Sequence, residues 1–214
     1  MNAEYQPYYV PGGNGISEWV EKRSRFIGYL FHVTTEEEAL ARIAEIKGKH
    51  YDAKHNVYAY LIRETGTMRY SDDGEPQGTA GMPVLEVLRR EGLTDACCVV
   101  TRYFGGILLG AGGLTRAYAK TAKDAVQAAG IHVMRPFQVL SVSCPYPLFE
   151  RVKRALSGAG GLLQDAQYGA DILLTLLLPQ DTFPSFADTL VELSGGAMQV
   201  EVQGTIFQGV PVES

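Results

Sequence analysis

The chain has 214 residues, of which 46% are hydrophobic and 20% charged, an ordinary composition for a globular protein. It contains no apolar run near the roughly 18 residues of a membrane span, and its first residues lack the basic and apolar regions of a signal peptide. We therefore expect a cytoplasmic protein with no membrane partner. Residues 1–135 hold 16 Lys/Arg and 16 Asp/Glu, whereas residues 136–214 hold 3 and 8, which accounts for the net charge of −5. An anionic partner is accordingly expected at the N-terminal part.

The cysteines indicate neither a disulfide framework nor a zinc site. There are three, Cys97, Cys98 and Cys144, and none belongs to a CxxC pair. Free cysteines of this kind behave as small buried hydrophobes. We expect no metal site and no cofactor.

The first elements of the chain combine an irregular start with a strand and a helix. Residues 1–15 contain two prolines and the turn G-G-N-G, which predicts an arm or edge strand followed by a loop. Trp19–Val33 is predicted to be one strand. Thr35 can cap the next helix, Glu38 completes a capping box, and apolar spacing continues to about Lys49.

Residue type and spacing predict the remaining elements of the N-terminal part. Branched and aromatic residues favour strands, and Gly92 and Gly130 are placed to end helices. We predict strands over Asn56–Ile62, Arg69–Ser71 and Ala96–Tyr103, and helices over Pro83–Glu91 and Leu114–Ala129.

After Arg135-Pro136 the pattern becomes that of a second, smaller domain. We predict strands over Gln138–Cys144, Leu162–Tyr168, Ile172–Leu178 and Met198–Phe207, and helices over Phe149–Leu156 and Thr182–Leu193. This β-α-β-β-α-β order is that of a ferredoxin-like fold. The predicted class is α+β, with domains at 1–135 and 136–214.

A glycine-rich loop between a strand and a helix is the first candidate for a binding site. Its glycines are Gly105, Gly106, Gly110, Gly112 and Gly113. Free N–H groups at a helix start attract anions, and Arg102 and Arg116 flank the loop as possible clamps for phosphate or carboxylate. The segment is neither GxGxxG nor a P-loop. An anion or peptide-backbone site and a tight structural turn both remain open.

An acidic loop from Ser71 to Gly81 is the second candidate. It contains Asp72, Asp73 and Glu75 beside Ser71 and Thr79. Three carboxylates can hold Mg²⁺ together with a substrate phosphate or can form a charged partner surface. Alternatively, the Asp side chains can satisfy local N–H groups and pair with Arg69 or Arg102. All three interpretations stay open.

Two further candidates lie on the predicted strands. His55 and Asn56 begin a strand, where His55 could act as an acid or base or could hydrogen-bond within the loops. Tyr103 belongs to a group of aromatics near basic residues that can stack bases but are more often core. Because no nucleophile–base pair is recognisable, no residue is assigned a catalytic role.

At four stretches the chain resembles the IMPACT family and its bacterial YigZ-like members. The stretches are K-R-S-R-F-I-G-Y from Lys22, H-N-V-Y-A-Y from His55, Y-S-D-D-G-E-P-Q-G-T-A-G from Tyr70 and V-T-R-Y-F-G-G-I-L-L-G-A-G-G-L from Val100. The last two are long and specific. Leu108 departs from the pattern, since some members have a lysine there, and the change removes one cation from the loop.

The resemblance implies a fold and a cellular context. It implies an N-terminal domain like the second domain of ribosomal protein S5 and a C-terminal domain like the last domain of elongation factor G. Eukaryotic members regulate translation under starvation, using an additional N-terminal domain. Only about 15 residues precede the module here, so that activity is not carried over.

Two hypotheses follow for the function. The first is a non-enzymatic cytosolic binding protein linked to translation or its stress regulation, with the ribosome, RNA or a translation factor as partner of the N-terminal domain. The alternative is an enzyme acting on a phosphorylated small molecule, in which Gly105–Gly113 holds the phosphate and Asp72 and Asp73 hold Mg²⁺.

Overall fold

The computed structural model describes residues 6–212, which form two compact units. One unit comprises Tyr8–Val133 together with 209–212, and the other comprises Met134–Gln208 together with 6–7. A mixed α and β architecture in two domains is therefore confirmed. Residues 1–5 of the predicted arm lie outside the described residues, as do residues 213–214 of the predicted second domain.

The first unit is built on an antiparallel five-stranded sheet with the order β2-β3-β6-β4-β5. A short strand, β1, precedes the sheet in the chain. The strands are β1 (Tyr8–Pro11), β2 (Gly15–Glu21), β3 (Ser24–His32), β4 (His55–Ile62), β5 (Thr67–Ser71) and β6 (Ala96–Tyr103). The helices are α1 (Glu36–Lys49), α2 (Gly81–Arg90) and α3 (Ala111–Ala129).

Helices cover both faces of this sheet, so its central strands are apolar on both sides. In β6, Cys98 and Val100 pack with α2 and α3, while Cys97 and Val99 pack with α1. Successive side chains of a strand point to opposite faces, which explains why the run reads as continuously hydrophobic. Burial raises the pKa of the Cys97 thiol to about 12. All three cysteines are free and buried.

The second unit repeats a strand–helix–strand pattern. Its strands belong to a five-stranded sheet with the order β1-β7-β9-β8, in which β10 also pairs with β7. Its core gathers apolar side chains from β7 and β9 with those of its two helices, including Leu140, Leu174, Val152 and Leu190. The elements are β7 (Ile131–Cys144), α4 (Phe149–Gly158), β8 (Leu162–Tyr168), β9 (Ile172–Pro179), α5 (Phe183–Ser194) and β10 (Val200–Pro211).

The predicted single strand Trp19–Val33 is wrong, because the segment is the hairpin β2–β3. Glu21 pairs with Ser24, which leaves Lys22 and Arg23 as a two-residue loop. Both loop residues have positive φ, 45° and 67°. A two-residue hairpin turn with two positive φ values usually contains Asn and Gly, so the basic residues gave no turn signal.

Three other boundaries differ from the predictions. Helix α3 begins at Ala111, so Gly112 and Gly113 belong to its first turn and not to the preceding loop. Strand β7 begins at Ile131 and passes through Pro136. The chain divides after Val133, whereas the predicted boundary followed residue 135, and from Gly209 the chain returns to the first unit, where Val212 N donates to Ile131 O at 2.9 Å. Independent folding of the two parts stays a prediction.

Within residues 6–212, no helix is both long enough and apolar enough to cross a membrane.

Candidate functional site

A cleft of about 390 Å³ lies in the first unit where β4 and β6 meet the acidic loop and the glycine loop. The strand ends contribute His55 and Arg102, which are direct partners across the β4–β6 pair. The acidic loop contributes Gly74, Glu75 and Pro76. The glycine loop and the start of α3 contribute Phe104, Leu108, Leu109, Gly110, Ala111 and Leu114, and Lys54 lies at the edge. The two segments singled out from the sequence therefore border the same cleft.

A buried ion pair forms the floor of the cleft. Arg102 Nη1 lies 2.6 Å from Glu75 Oε1, and the side chains are 6% and 4% exposed. Tyr118 from α3 donates to the same oxygen at 2.9 Å. Burial, followed by the Glu75 charge, raises the pKa of Tyr118, so its phenol stays protonated as a donor. Two donors thus compensate the buried carboxylate, as its burial requires.

Arg102 has further contacts that fix its guanidinium. Its Nη2 donates to Ser24 Oγ at 3.2 Å, and the group lies over the rings of Phe26 and Phe104, each at 5.5 Å. Its buried Nε has no hydrogen-bond partner within the described residues. The predicted pairing of Arg102 with Asp72 or Asp73 is wrong, because Glu75 occupies that place.

His55 is oriented by the acidic loop. Its Nδ1 lies 2.8 Å from the backbone oxygen of Asp73, which identifies Nδ1 as the donor. Nε2 lies 3.9 Å from Glu75 Oε1, beyond hydrogen-bond distance. His55 is 7% exposed and borders the cleft. Through this hydrogen bond to Asp73, His55 joins β4 to the acidic loop.

Asp72 organises the acidic loop through backbone N–H groups. Its Oδ1 accepts from Ala80 N and Gly81 N at 3.1 and 2.8 Å, and its Oδ2 accepts from Gly78 N at 2.9 Å. The carboxylate therefore stabilises the start of α2, where a negative charge is favourable. Thr79 closes a neighbouring turn by donating to Pro76 O at 2.7 Å.

Asp73 ties the same loop to β4 and α1. Its Oδ2 accepts from Asn56 N at 2.7 Å, and its Oδ1 pairs with Lys47 at 2.8 Å. Ser71 Oγ accepts from Asp73 N at 3.1 Å. The Asn56 side chain accepts from Thr101 at 2.7 Å and is buried. Ser71, Asp73 and Asn56 thus hold the wall of the cleft but do not line it.

The glycine loop approaches the β2–β3 hairpin closely. A Cβ at Gly105 would collide with the backbone of Arg23, which explains the absence of a side chain there. Gly106 is exposed beyond this contact. Gly110, with φ 72°, precedes α3 and supplies no side-chain cap. The first turn of α3, which includes Gly112 and Gly113, contains no acidic residue, so its N–H groups are left to solvent or a ligand.

Of the predicted site residues, His55, Glu75, Arg102 and Gly110 line the cleft, whereas Arg69, Tyr103 and Arg116 are among those that do not. Arg69 is directly opposite Tyr60, and Tyr60 belongs to the core on the α1 side of the sheet. Tyr103 packs against that same core and donates to Asp52 at 3.0 Å. Arg116 borders a smaller depression beside Trp19. Arg102 and Arg116 therefore line different depressions.

Sequence reasoning missed several residues of the site. Ser24 and Tyr118 contact its buried charges from 78 and 43 residues away in the chain. Their tertiary contacts follow no local pattern. Lys54 and Leu108 also line the cleft, and the cation directly before His55 was a signal that could have placed Lys54 there. Phe104, which lines it too, belongs to the group of aromatics near basic residues that the sequence indicated.

No cluster of three or more metal-ligating side chains occurs in residues 6–212. The carboxylates proposed for Mg²⁺ are also occupied, since Asp72 accepts three backbone N–H groups and Asp73 accepts one and pairs with Lys47. A hydrated Mg²⁺ site would have to displace those donors.

Comparison with known proteins places the chain in a family. Residues 22–126 match the Impact N-terminal domain, and residues 142–197 match a domain of unknown function, DUF1949. The chain is 37% identical over 195 residues to IMPACT family member YvyE of Bacillus subtilis, covering 91% of this chain and 90% of that one. It is 34% identical over 182 residues to IMPACT family member YigZ of Escherichia coli, covering 84% and 89%. The chain belongs to the IMPACT family.

More distant and structural relatives agree with this assignment. A protein IMPACT homolog of Dictyostelium discoideum is 41% identical over 96 residues, which cover 42% of this chain and 27% of that one. A solved crystal structure of a hypothetical protein aligns with a TM-score of 0.58 and 31% identity, covering 92% of this chain and 97% of the other.

Proposed function

We propose that this chain is a non-enzymatic cytoplasmic binding protein linked to translation, and that its partner contacts the cleft of the first unit and its rim. The ribosome, RNA or a translation factor is the kind of partner that the family resemblance implies. We also propose that the first unit is of the S5 domain 2 type. For the second unit we propose the ferredoxin-like type, which the order β7-β9-β8 and the pairing of β10 with β7 support.

One observation carries the choice of binding over catalysis: the acidic side chains of the cleft and its walls are engaged in holding the structure. Asp72 accepts three N–H groups, Asp73 joins β4 to Lys47, and Glu75 accepts from Arg102 and Tyr118. A general acid or base needs to exchange protons with a substrate. Carboxylates fixed in this way preorganise a surface instead, which favours binding.

The exposed part of the cleft supports a partner of substantial size. Leu108 is 83% exposed and Phe104 48%, at the lip formed by the glycine loop. Lys54 also lines the cleft, is exposed, and has no ion pair within the described residues. Exposed apolar side chains beside an unpaired cation are typical of an interaction surface.

The test is affinity capture from a cell lysate with the tagged full chain, with and without ribonuclease. Wild type is compared with Lys54→Glu and with Lys123→Glu, an equal charge change at an exposed position of α3. We expect wild type and Lys123→Glu to recover ribosomal proteins, RNA or a translation factor, and Lys54→Glu to lose most of them. If none of these is recovered by wild type, or if both variants behave alike, the proposal is wrong.

A further inference from the structure

The start of α3 presents backbone N–H donors that no side chain caps, on the wall of the cleft. Gly110 and Ala111 border the cleft, and Gly110 caps the 19-residue helix without a side-chain hydrogen bond. By contrast, α1 has Thr35 as its cap and three acidic residues in its first turn. An uncapped helix start with positive partial charge attracts an anion.

A second and independent feature points to the same ligand chemistry. Arg102 is 5% exposed and lines the cleft, yet its Nε–H has no acceptor within the described residues. A buried donor without an acceptor is costly and calls for a partner. Because Arg102 already neutralises Glu75 at 2.6 Å, the acidic side chain does not repel an incoming anion. Lys54 adds an unpaired positive charge at the edge.

Apart from His55, the rest of the cleft is lined by apolar side chains and glycine, and it includes an exposed ring. Phe104 is 48% exposed, and Leu108, Leu109 and Leu114 continue the apolar wall. Aromatic rings beside basic groups stack nucleobases in proteins that bind single-stranded nucleic acid. A ligand that matches both parts has an oxyanion at one end and a flat, largely apolar body at the other.

We propose that the cleft binds one nucleotide, with its phosphate at the first turn of α3, Lys54 and Arg102, and its base against Phe104. This inference rests on the proposed function, which includes RNA among the possible partners. It specifies that the cleft receives one nucleotide. A free mononucleotide and an unpaired nucleotide of single-stranded RNA share this chemistry.

Titration calorimetry on the full chain tests the proposal with four probes: a nucleoside 5′-monophosphate, the matching nucleoside, inorganic phosphate, and a short single-stranded RNA. We expect the monophosphate to bind at least about tenfold more tightly than the nucleoside, since a charge-assisted hydrogen bond contributes about that factor. Binding of the RNA in competition with the monophosphate identifies a strand as the source. Binding of the monophosphate alone identifies the free nucleotide.

Two variants locate the phosphate on the chain. Ala111→Pro removes one N–H at the first helical position, where proline fits a helix, and Lys54→Met removes the cation. Each should weaken binding of the monophosphate by roughly tenfold. Phe104→Leu should weaken the monophosphate but not inorganic phosphate. Lys123→Met is the matched control and should bind as wild type does. Thermal unfolding of each variant shows that it is folded.

The proposal is overturned if the monophosphate and the nucleoside bind equally weakly, or if Lys123→Met loses as much affinity as Lys54→Met. If no nucleotide or RNA binds while capture through Lys54 still recovers a translation factor or ribosomal protein, this inference fails and the proposed function stands. If nucleotides bind at α3 but nothing of the translation apparatus is captured, the proposed function fails and this inference stands.

Discussion

The Arg102–Glu75 pair shows how a buried charge can shape a cleft. Both side chains are almost fully buried, and Tyr118 and Ser24 supply additional hydrogen bonds to the pair. A buried pair of this kind gains little against an apolar replacement, but the loss of one member leaves the other charged and uncompensated. The pair is therefore a source of specificity for the loop arrangement rather than of net stability.

Arg102→Ala should destabilise the first unit by about 3–5 kcal/mol, because Glu75 would keep a buried charge without its main partner. Arg116→Ala changes an exposed arginine of α3 and should alter the free energy of unfolding by less than about 0.5 kcal/mol. Urea unfolding followed by circular dichroism measures both. Equal and negligible effects would show that Arg102 is not a buried structural residue.

Asp95 carries a charge that is unfavourable in the folded protein. It is 7% exposed, and its Oδ1 accepts from Arg63 N at 2.7 Å. Burial raises the pKa of Asp95 above its ordinary value. The folded state therefore binds the proton more tightly than the unfolded state. The stability from this group is fully present below the unfolded pKa of about 3.9 and is lost as the pH rises through the folded pKa.

Asp95→Asn should accordingly gain stability relative to wild type as the pH rises from about 4 to neutrality. Asn keeps the oxygen acceptor for Arg63 N and tolerates the φ of 51° found at this position. The free energy of unfolding across this pH range measures the effect. Asp188→Asn, which makes the same substitution at an exposed position, is the control. A constant difference between Asp95→Asn and wild type would contradict the assignment.

At the scale of single residues, local signals predicted part of the site and long-range contacts determined the rest. Thr35 caps α1 as expected from its neighbours, with Oγ1 accepting from Glu38 N at 3.1 Å. The acidic loop could be recognised from the sequence, but not which donor each of its carboxylates accepts from. Asp72 reaches N–H groups six to nine residues away, and Arg102 selects Glu75, because the path of the loop sets those distances.

Among the elements, the β2–β3 hairpin differs most from the structure that its sequence predicts. Its two loop residues, Lys22 and Arg23, have left-handed backbone angles that cost about 1–3 kcal/mol each in a non-glycine residue. The hairpin is nevertheless fixed, because Gly105 lies against the Arg23 backbone and Ser24 contacts Arg102. Tertiary packing therefore selects a turn that local preference disfavours.

Replacing Lys22-Arg23 by Asn-Gly should stabilise the protein by about 1 kcal/mol, since that pair suits a turn with two positive φ values. Chemical denaturation of the double variant measures this. A variant of no higher stability than wild type would mean that the basic side chains themselves contribute as much as the relieved backbone.

At the scale of the whole molecule, the hydrophobic pattern predicted most elements and their type. The exceptions have physical causes: β7 continues through Pro136, and α3 includes two glycines in its first turn. A proline or glycine usually signals an interruption of an element, and the sequence therefore placed both boundaries too late in the chain. Each unit has a separate set of buried apolar residues.

Because the second unit has its own core, we expect residues 136–214 to fold alone with a cooperative unfolding transition. Thermal unfolding of the isolated fragment, followed by near-ultraviolet circular dichroism, measures this. A gradual transition without fixed aromatic signals would show that the fragment depends on the rest of the chain.

We have proposed that the cleft of the first unit binds a component of the translation apparatus. Site-specific photocrosslinking in living cells tests it most directly. A photoreactive residue replaces Leu108, at the exposed lip of the cleft, or Lys123, on α3 away from it. We expect the probe at position 108 to crosslink to ribosomal protein, RNA or a translation factor, and the probe at 123 not to do so. Absence of these adducts at 108, or equal adducts at both positions, would contradict the proposal.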